Sequence, residues 1–425
     1  MGVLSRALTV VGLHRVVRRH SGDGVVPPPR EEDKGTKRDR IRISFLLPAL
    51  DAGGAERVVN IVANDLVARG YDVSVVTLSS EDHRSYFDYD EHVDLVRIGI
   101  PPCRRPLLSS LSMTFRRVKA LRDALNALQP DVVVSFLTRM NILTLLAFGS
   151  SSVPIIVSER NNPRKQRFGF MWSWLRACLY PQAFGLVTMT REAMHAFPNY
   201  MRRREWVVPN PVKPRAAVSR NVDRSRTISA VGRLVPQKGL DLLLLAYSKV
   251  ATDYPDWRLV IWGEGPERGS LEYLRQSLDL ADRVSLPGVS YQPGGWVDRS
   301  SMFVLSSRYE GWGNALMEAL AAGLPVVAFD CDWGPRTMID HGVNGWLVPN
   351  GDVDALAEAL RGLMADPSLR ATLGQAAQGA SERYSVESVT QQWIAIIDEA
   401  LVARRASVAR TFDNSRVEWS AGSPV

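Results

Sequence analysis

The sequence predicts an α/β protein of two Rossmann-like, doubly wound parallel-sheet domains that face each other across a cleft. Three observations carry this. Short apolar strands alternate with amphipathic helices, the alternation starts afresh near the middle of the chain, and a proline-rich link separates the two series. At 425 residues the chain has room for two domains of roughly 150 residues each, with extensions.

The first 40 residues run through Pro27-Pro28-Pro29 into mixed charges from Arg30 to Arg40. They read as a disordered arm with an amphipathic helix near its start. Ala7 to Leu13 is apolar but lacks a small-residue cleavage site, so no secretory leader is expected. Residues 41–208 are expected to form the first Rossmann-like domain. Its opening strand is Ile41–Leu47, and the loop from Pro48 to Gly54 follows. A helix over Ala55–Arg69 places Ala55, Val58, Val59, Val62 and Leu66 on one face, with Gly70 as its stop. Tyr71–Leu78 closes this βαβ unit, and Asp131–Ser135 and Pro154–Val157 are later strands of the same sheet. Residues 209–212 are the hinge, because prolines on both sides of Asn210 hold it extended.

Residues 213–385 repeat the pattern. Strands are expected at Thr227–Val231, Arg258–Trp262, Val284–Leu286, Met302–Leu305 and Val326–Phe329. Helices are expected at Leu240–Ala251, Arg268–Leu278, Asn314–Ala321 and Val353–Leu363. A helix over 386–405 is expected to cross back to the first domain, and 406–425 to be a disordered polar tail. Two such sheets place a ligand between the carboxyl ends of their strands.

Composition narrows the function. The hydrophobic fraction is 45% and the charged fraction 23%, ordinary for a globular chain. No run of about 18 uncharged apolar residues is present, so no transmembrane helix is expected. Cys103, Cys178 and Cys331 are scattered without metal-ligand spacing, which suits a reducing cytoplasm, and none is expected to be catalytic. Residues 101–205 hold 16 Lys/Arg against 5 Asp/Glu, the whole basic excess of the chain. Such a patch attracts an anionic membrane surface or nucleic acid, or serves as a solubilising face.

Two stretches carry chemistry. In Glu310-Gly311-Trp312-Gly313-Asn314-Ala315-Leu316-Met317-Glu318, glycines let a ligand approach the backbone, and the helix start presents free N–H groups that suit a diphosphate. Glu310 and Glu318 offer carboxylates to sugar and ribose hydroxyls; the alternative is a helix cap and a surface salt bridge. In Gly232-Arg233-Leu234-Val235-Pro236-Gln237-Lys238-Gly239, Arg233 and Lys238 stand at a strand–helix junction where they can converge on phosphate oxygens, or else remain surface cations.

Together the Gly-Arg-x4-Lys-Gly element, Gly263-Glu264-Gly265-Pro266 and the Glu-x7-Glu element resemble the donor domain of glycosyltransferase family 4, whose members are retaining enzymes of the GT-B fold. Gly53-Gly54-Ala55-Glu56-Arg57 resembles that family's N-terminal glycine loop, and the likeness covers about residues 41–400. The resemblance implies that Arg233 and Lys238 hold the diphosphate and stabilise its growing charge. It implies further that Glu310 binds the donor sugar, that Gly313, Asn314, Ala315 and Leu316 supply backbone contacts, and that Glu318 binds the ribose. Gly53 and Gly54 would approach the donor from the opposite side, and Gly263, Glu264 and Val289 would lie near the base. No metal or other cofactor is implied beyond the nucleotide-sugar co-substrate, because cations and the helix dipole stand in for a divalent ion. Many members carry a histidine after the strand matched by Asp131–Ser135; here Thr138 or Asn141 stands in that stretch.

On the acceptor side, Leu107, Leu108, Leu111, Phe115, Val118, Leu121, Leu125 and Leu128 recur at helical spacing, with Arg116 and Arg117 among the cations on other faces. Arg164, Lys165 and Arg167 precede Phe168, Phe170, Trp172 and Trp174, a mixture that fits a headgroup interface. Ser158-Glu159-Arg160-Asn161 is similar to members that extend polyprenyl-diphosphate-linked or cell-surface glycans. The expectation is therefore a glycosyltransferase (hexosyltransferase class) that moves a sugar from a UDP-sugar to a lipid-linked acceptor. It would be peripheral at the cytoplasmic face of the plasma membrane, with no nucleic acid as partner. The alternatives are a UDP-sugar 2-epimerase and a non-catalytic nucleotide-sugar or nucleic-acid binding module.

Overall fold

A computed structural model describes residues 40–101, 107–166, 168–213, 226–290, 292 and 294–420, without the side chains of 107–110 and 407–420. Residues 1–39 lie outside it, and with them the expectations for the N-terminal arm; Cys103 and Arg167 lie outside it too.

The first half comprises β1 (Arg42–Leu47), α1 (Gly54–Ala68), β2 (Asp72–Thr77), β3 (Asp94–Arg97), α2 (Leu107–Leu128), β4 (Val132–Phe136), α3 (Thr138–Phe148), β5 (Ile155–Ser158), α4 (Phe170–Leu179), β6 (Gly185–Thr188), α5 (Arg191–His195) and β7 (Glu205–Val207). All its strand pairs are parallel, in the order β3-β2-β1-β4-β5-β6-β7. Strands buried on both faces are near-continuously apolar, as in Val132–Val134. The second half comprises β8 (Thr227–Val231), α6 (Leu240–Ser248), β9 (Arg258–Trp262), α7 (Arg268–Ser277), β10 (Val284–Gly288), β11 (Met302–Leu305), α8 (Asn314–Ala321), β12 (Val326–Asp330), α9 (Pro335–Met338), β13 (Trp346–Pro349), α10 (Val353–Ala365), α11 (Pro367–Ser381) and α12 (Val386–Ser420). Its strands are again parallel, in the order β10-β9-β8-β11-β12-β13. In both sheets the order reverses beside the first strand, and a crevice opens there at the carboxyl ends.

The last helix corrects the expectation of a disordered tail from 406. It runs to Ser420, because no glycine or proline interrupts the sequence between Val386 and Ser420. It also crosses to the first half. Val389, Trp393, Ile396, Ile397 and Ala400 are buried in the same core as Phe45, Val134 and Phe136 of β1 and β4, and Phe136 and Trp393 have ring centroids 5.7 Å apart. At fully buried aromatic side chains such as Trp393, roughly 3–5 kcal/mol rests on each.

Candidate active site

The site is built from two helix starts that meet across the cleft. α8 begins after Gly313, whose φ of 104° is a left-handed conformation that favours glycine. No side chain caps this start, so the N–H groups of Asn314, Ala315 and Leu316 are unclaimed by the helix. Leu316 buries its side chain in the core, while Ala315 is half-buried. Opposite stands α1, which begins after Gly53. Asn314 Nδ2 donates to Gly54 O at 3.3 Å, and a Cβ on Gly54 would lie 2.8 Å from that nitrogen. Gly311 is equally close to the first half: a Cβ there would stand 2.9 Å from Met189 Cε and 3.0 Å from Arg160 O.

Lys238 and Glu310 come together as a half-buried ion pair, Nζ to Oε1 2.6 Å. Ser307 Oγ donates to the same oxygen at 2.7 Å. Glu310 therefore caps nothing; it is 5% exposed and its partner is the lysine. The two loops are stitched by Gln237 Nε2 to Tyr309 O at 3.0 Å and by Ser306 Oγ to Lys238 O at 3.0 Å. Burial pushes the neighbouring Cys331 thiol up to about 12, and Glu310 adds to the effect, so it remains protonated at neutral pH. Arg233 is exposed and has no carboxylate partner among the described residues, though its charge acts on Glu56.

Glu318 does form a salt bridge, but a half-buried one that crosses the cleft: Arg57 Nη1 lies 2.7 Å from Glu318 Oε1. Tyr86 joins the halves as well, donating its hydroxyl to Ser290 O at 2.7 Å. Gly263, Glu264 and Val289 lie on the loops after β9 and β10. Gly263 is required by packing, since a Cβ would stand 1.9 Å from Gly232 O. Glu264 pairs with Arg268, and Val289 is exposed.

Two residues escape the sequence reading. Arg57 belongs to the glycine loop, but its partner stands 261 positions away, beyond any local pattern. Glu56 folds its carboxyl over Gly53, and burial raises its pKa from 4.5 to about 7, with Asp51 reinforcing the shift and Arg233 opposing it. Its place in the third position of α1, where a Glu reaches back to the helix start, is the available signal.

The expected acceptor residues are redistributed. Thr138 and Asn141 are buried and bound to the fully buried Glu159 and Tyr180: Thr138 donates to Glu159 at 2.8 Å, and Asn141 Nδ2 donates to Tyr180 Oη at 3.1 Å. Burial raises the pKa of Glu159. Neither residue replaces a cleft histidine in this arrangement. Arg164 and Lys165 point back to the second half, over the rings of Trp333 (5.8 Å) and Tyr309 (6.0 Å), because Asn162 Oδ1 accepts both their backbone N–H groups and turns the loop. Trp172 is partly buried and packs against the core under Arg139, whereas Trp174 is 56% exposed. Residues two apart cannot share a helix face. Arg117 donates to the carbonyls of Ile100 and Pro101, and Arg116 is exposed. Leu121 and Leu125 anchor α2, while Leu111 and Phe115 remain exposed, as do Phe170 and Met171 on α4.

Among the described residues no group of three His, Cys, Asp or Glu side chains is placed to hold a metal ion, and no helix is long and apolar enough to cross a membrane.

Comparison with known proteins fits this geometry. Residues 52–215 match the model of Glycosyltransferase Family 4, and residues 214–380 match that of Glycosyl transferases group 1. An uncharacterized glycosyltransferase of Haemophilus influenzae is 27% identical over 83% of this chain and 98% of its own length. An α-1,4-N-acetyl-D-galactosaminyltransferase of Campylobacter jejuni, named for an undecaprenol-PP-linked glycan, is 24% identical over 84% of this chain and 99% of its own. Among solved structures, sucrose-phosphate synthase from Thermosynechococcus elongatus superposes with a TM-score of 0.74 at 19% identity, covering 86% of this chain and 100% of that one. Anabaena HepE in complex with UDP gives 0.68 at 20% identity, with 84% and 100% covered. The two likenesses show that the fold is GT-B.

Proposed function

Because the chain belongs to glycosyltransferase family 4, with a group 1 second half, we propose that it transfers a sugar from a UDP-sugar, with retention of configuration, to a lipid-linked or cell-surface glycan acceptor. The observation that carries this is the meeting of two helix starts, at Gly54 and Asn314, in a space that also holds Lys238 and Glu310. Helix N-termini and cations are what a diphosphate requires. Arg233, without a carboxylate partner among the described residues, takes the phosphate directly. Lys238 has three N–H donors and gives one to Glu310, so it can bind phosphate without releasing its partner. Glu310 then receives donor-sugar hydroxyls, and Glu318 exchanges Arg57 for the ribose. Gly263, Glu264 and Val289 border the base.

As the glycosidic bond breaks, charge grows on the departing phosphate. Arg233, Lys238 and the α8 N–H groups stabilise it, and that phosphate takes the acceptor's proton on the same face. The reading needs no metal. The UDP bound by HepE and the polyprenyl-linked glycan in the name of the Campylobacter relative support the donor and acceptor classes. Leu111, Phe115, Phe170, Met171 and Trp174, exposed beside the basic excess of 101–205, suit a membrane surface at the cytoplasmic face.

Incubation with a panel of nucleotide sugars tests the proposal. Slow release of UDP from one donor is expected. No hydrolysis of any donor, with no UDP binding by calorimetry, would overturn it.

A further inference from the structure

Arg160 is a buried cation without a carboxylate among the described residues, 6% exposed. Burying an unpaired guanidinium costs several kcal/mol unless its surroundings compensate. Here they are two rings and three oxygens. Its Cζ lies 5.2 Å from the Phe136 ring centroid and 5.3 Å from that of Trp393 on α12. Nε donates to Ser158 Oγ at 2.8 Å, and Nη1 donates to Val208 O and Asn210 Oδ1, each at 2.9 Å. Asn210 sits between the two hinge prolines and is itself buried. Its Nδ2 donates to Asn314 Oδ1 at 2.6 Å, and Asn314 Nδ2 reaches Gly54 O. The backbone of Arg160 and Asn161 meanwhile packs on Gly311, next to Glu310.

We infer that Arg160 is a positioning residue. Through Asn210 it sets the register of the Glu310–Asn314 loop against the first half, and so aligns the start of α8 with that of α1 at the donor. The geometry explains why a charge is placed there. A guanidinium can lie against the adjoining rings of Phe136 and Trp393 while its edge binds the hinge carbonyl and the Asn210 amide oxygen; lysine has no planar edge. The oxygen-accepting state of Asn210 is fixed by that contact, so its amide nitrogen is left to orient Asn314. Arg160 touches no donor atom in this scheme. Its loss slows the step that needs both helix starts aligned, while the nucleotide still binds to the second half. The inference rests on the donor reading above.

The test compares wild type with Arg160→Met, Arg160→Lys, Asn210→Ala and the Arg160→Met/Asn210→Ala double variant. Three measurements are made: kcat and KM for the donor found active, UDP affinity, and amide hydrogen exchange over residues 307–317 without ligand. In Arg160→Met and Asn210→Ala, turnover should fall by roughly 10-fold or more, UDP affinity should stay within about 2-fold of wild type, and exchange over 307–317 should quicken. Arg160→Lys should rescue little, and the double variant should lose no more than the worse single one. Asn210→Ala keeps the buried cation in place, so it reports on the relay if Arg160→Met fails to fold. Wild-type turnover and exchange in Asn210→Ala, or losses that add in the double variant, would overturn the inference. If wild type binds no UDP yet exchange over 307–317 still rises in Asn210→Ala, the relay stands and the donor reading falls.

Discussion

Lys238 and Glu310, 72 positions apart, form a half-buried ion pair at the mouth of the second sheet, 2.6 Å from nitrogen to oxygen. The pair divides the two cations of the Gly-Arg-x4-Lys-Gly element. Lys238→Ala leaves a buried carboxylate unpaired and should lower both stability and transfer, whereas Arg233→Ala should lower transfer by roughly 10²-fold while leaving the melting temperature near wild type. Thermal melts beside transfer assays check this. Lys238→Met/Glu310→Gln together should be less unstable than Lys238→Met alone; an additive loss would contradict the pairing.

Glu318 and Glu310 should separate in binding. Glu318→Ala is expected to weaken UDP by about 10-fold, since hydrogen bonds to a charged group are worth about 1.5–3 kcal/mol. Glu310→Ala should leave UDP affinity nearly unchanged and reduce turnover. Calorimetry on the two variants decides; equal losses would mean that the roles are wrongly divided.

Glu56 makes stability depend on pH. Its folded pKa, about 7, lies above the ordinary 4.5. The native state thus holds a proton that the unfolded chain releases, and the contribution is fully present below pH 4.5 and lost as pH rises toward 7. One unit is about 1.36 kcal/mol, which bounds the effect on the order of 3 kcal/mol. Denaturant titrations from about pH 4.5 to 8 on wild type and Glu56→Gln isolate it, because other groups cancel in the difference. A difference that does not change with pH would remove Glu56 from the account.

How much of this is legible in the sequence differs by distance along the chain. The strands over 258–262 and 302–305 and the helix over 314–321 stand where their apolar periods put them. The short strands β3, β6, β7 and β13 carry no such signal. β7 is an edge of three residues, exposed at both ends, with too few positions for an alternation to be read. α3 is buried on nearly every face and so has no amphipathic period. In the site, Lys238, Glu310 and Asn314 announce themselves by their place at strand–helix junctions. Arg57–Glu318 and Arg160–Asn210–Asn314 join segments far apart, and one sequence holds no trace of such meetings.

Chelation should leave transfer unchanged. In the proposed mechanism, Arg233, Lys238 and the α8 start would supply the charge that a divalent ion otherwise brings. Activity abolished by excess chelator and restored by a divalent cation would refute the proposed mechanism.

Trp172 and Trp174 should act differently on anionic vesicles. Co-sedimentation should fall for Trp174→Ser and Phe170→Ser, whose side chains are exposed, with little change in melting temperature. Trp172→Ser should instead destabilise the fold, because that ring lies against the core. Wild type that ignores anionic vesicles at low salt would make a soluble acceptor the better reading.

The return of α12 to the first half has a consequence for synthesis. The sheet of residues 42–207 is complete long before the ribosome reaches Val389, yet Phe136 and Arg160 wait for Trp393 to cover them. At about 5–20 residues per second, that face stays open for on the order of ten seconds or more while the second half emerges. The nascent first half is thus an unfinished body with an apolar side and a stranded cation. Translation arrest short of residue 389 should yield a chaperone-bound, protease-sensitive chain, and arrest beyond 405 with the helix clear of the exit tunnel should yield a resistant one.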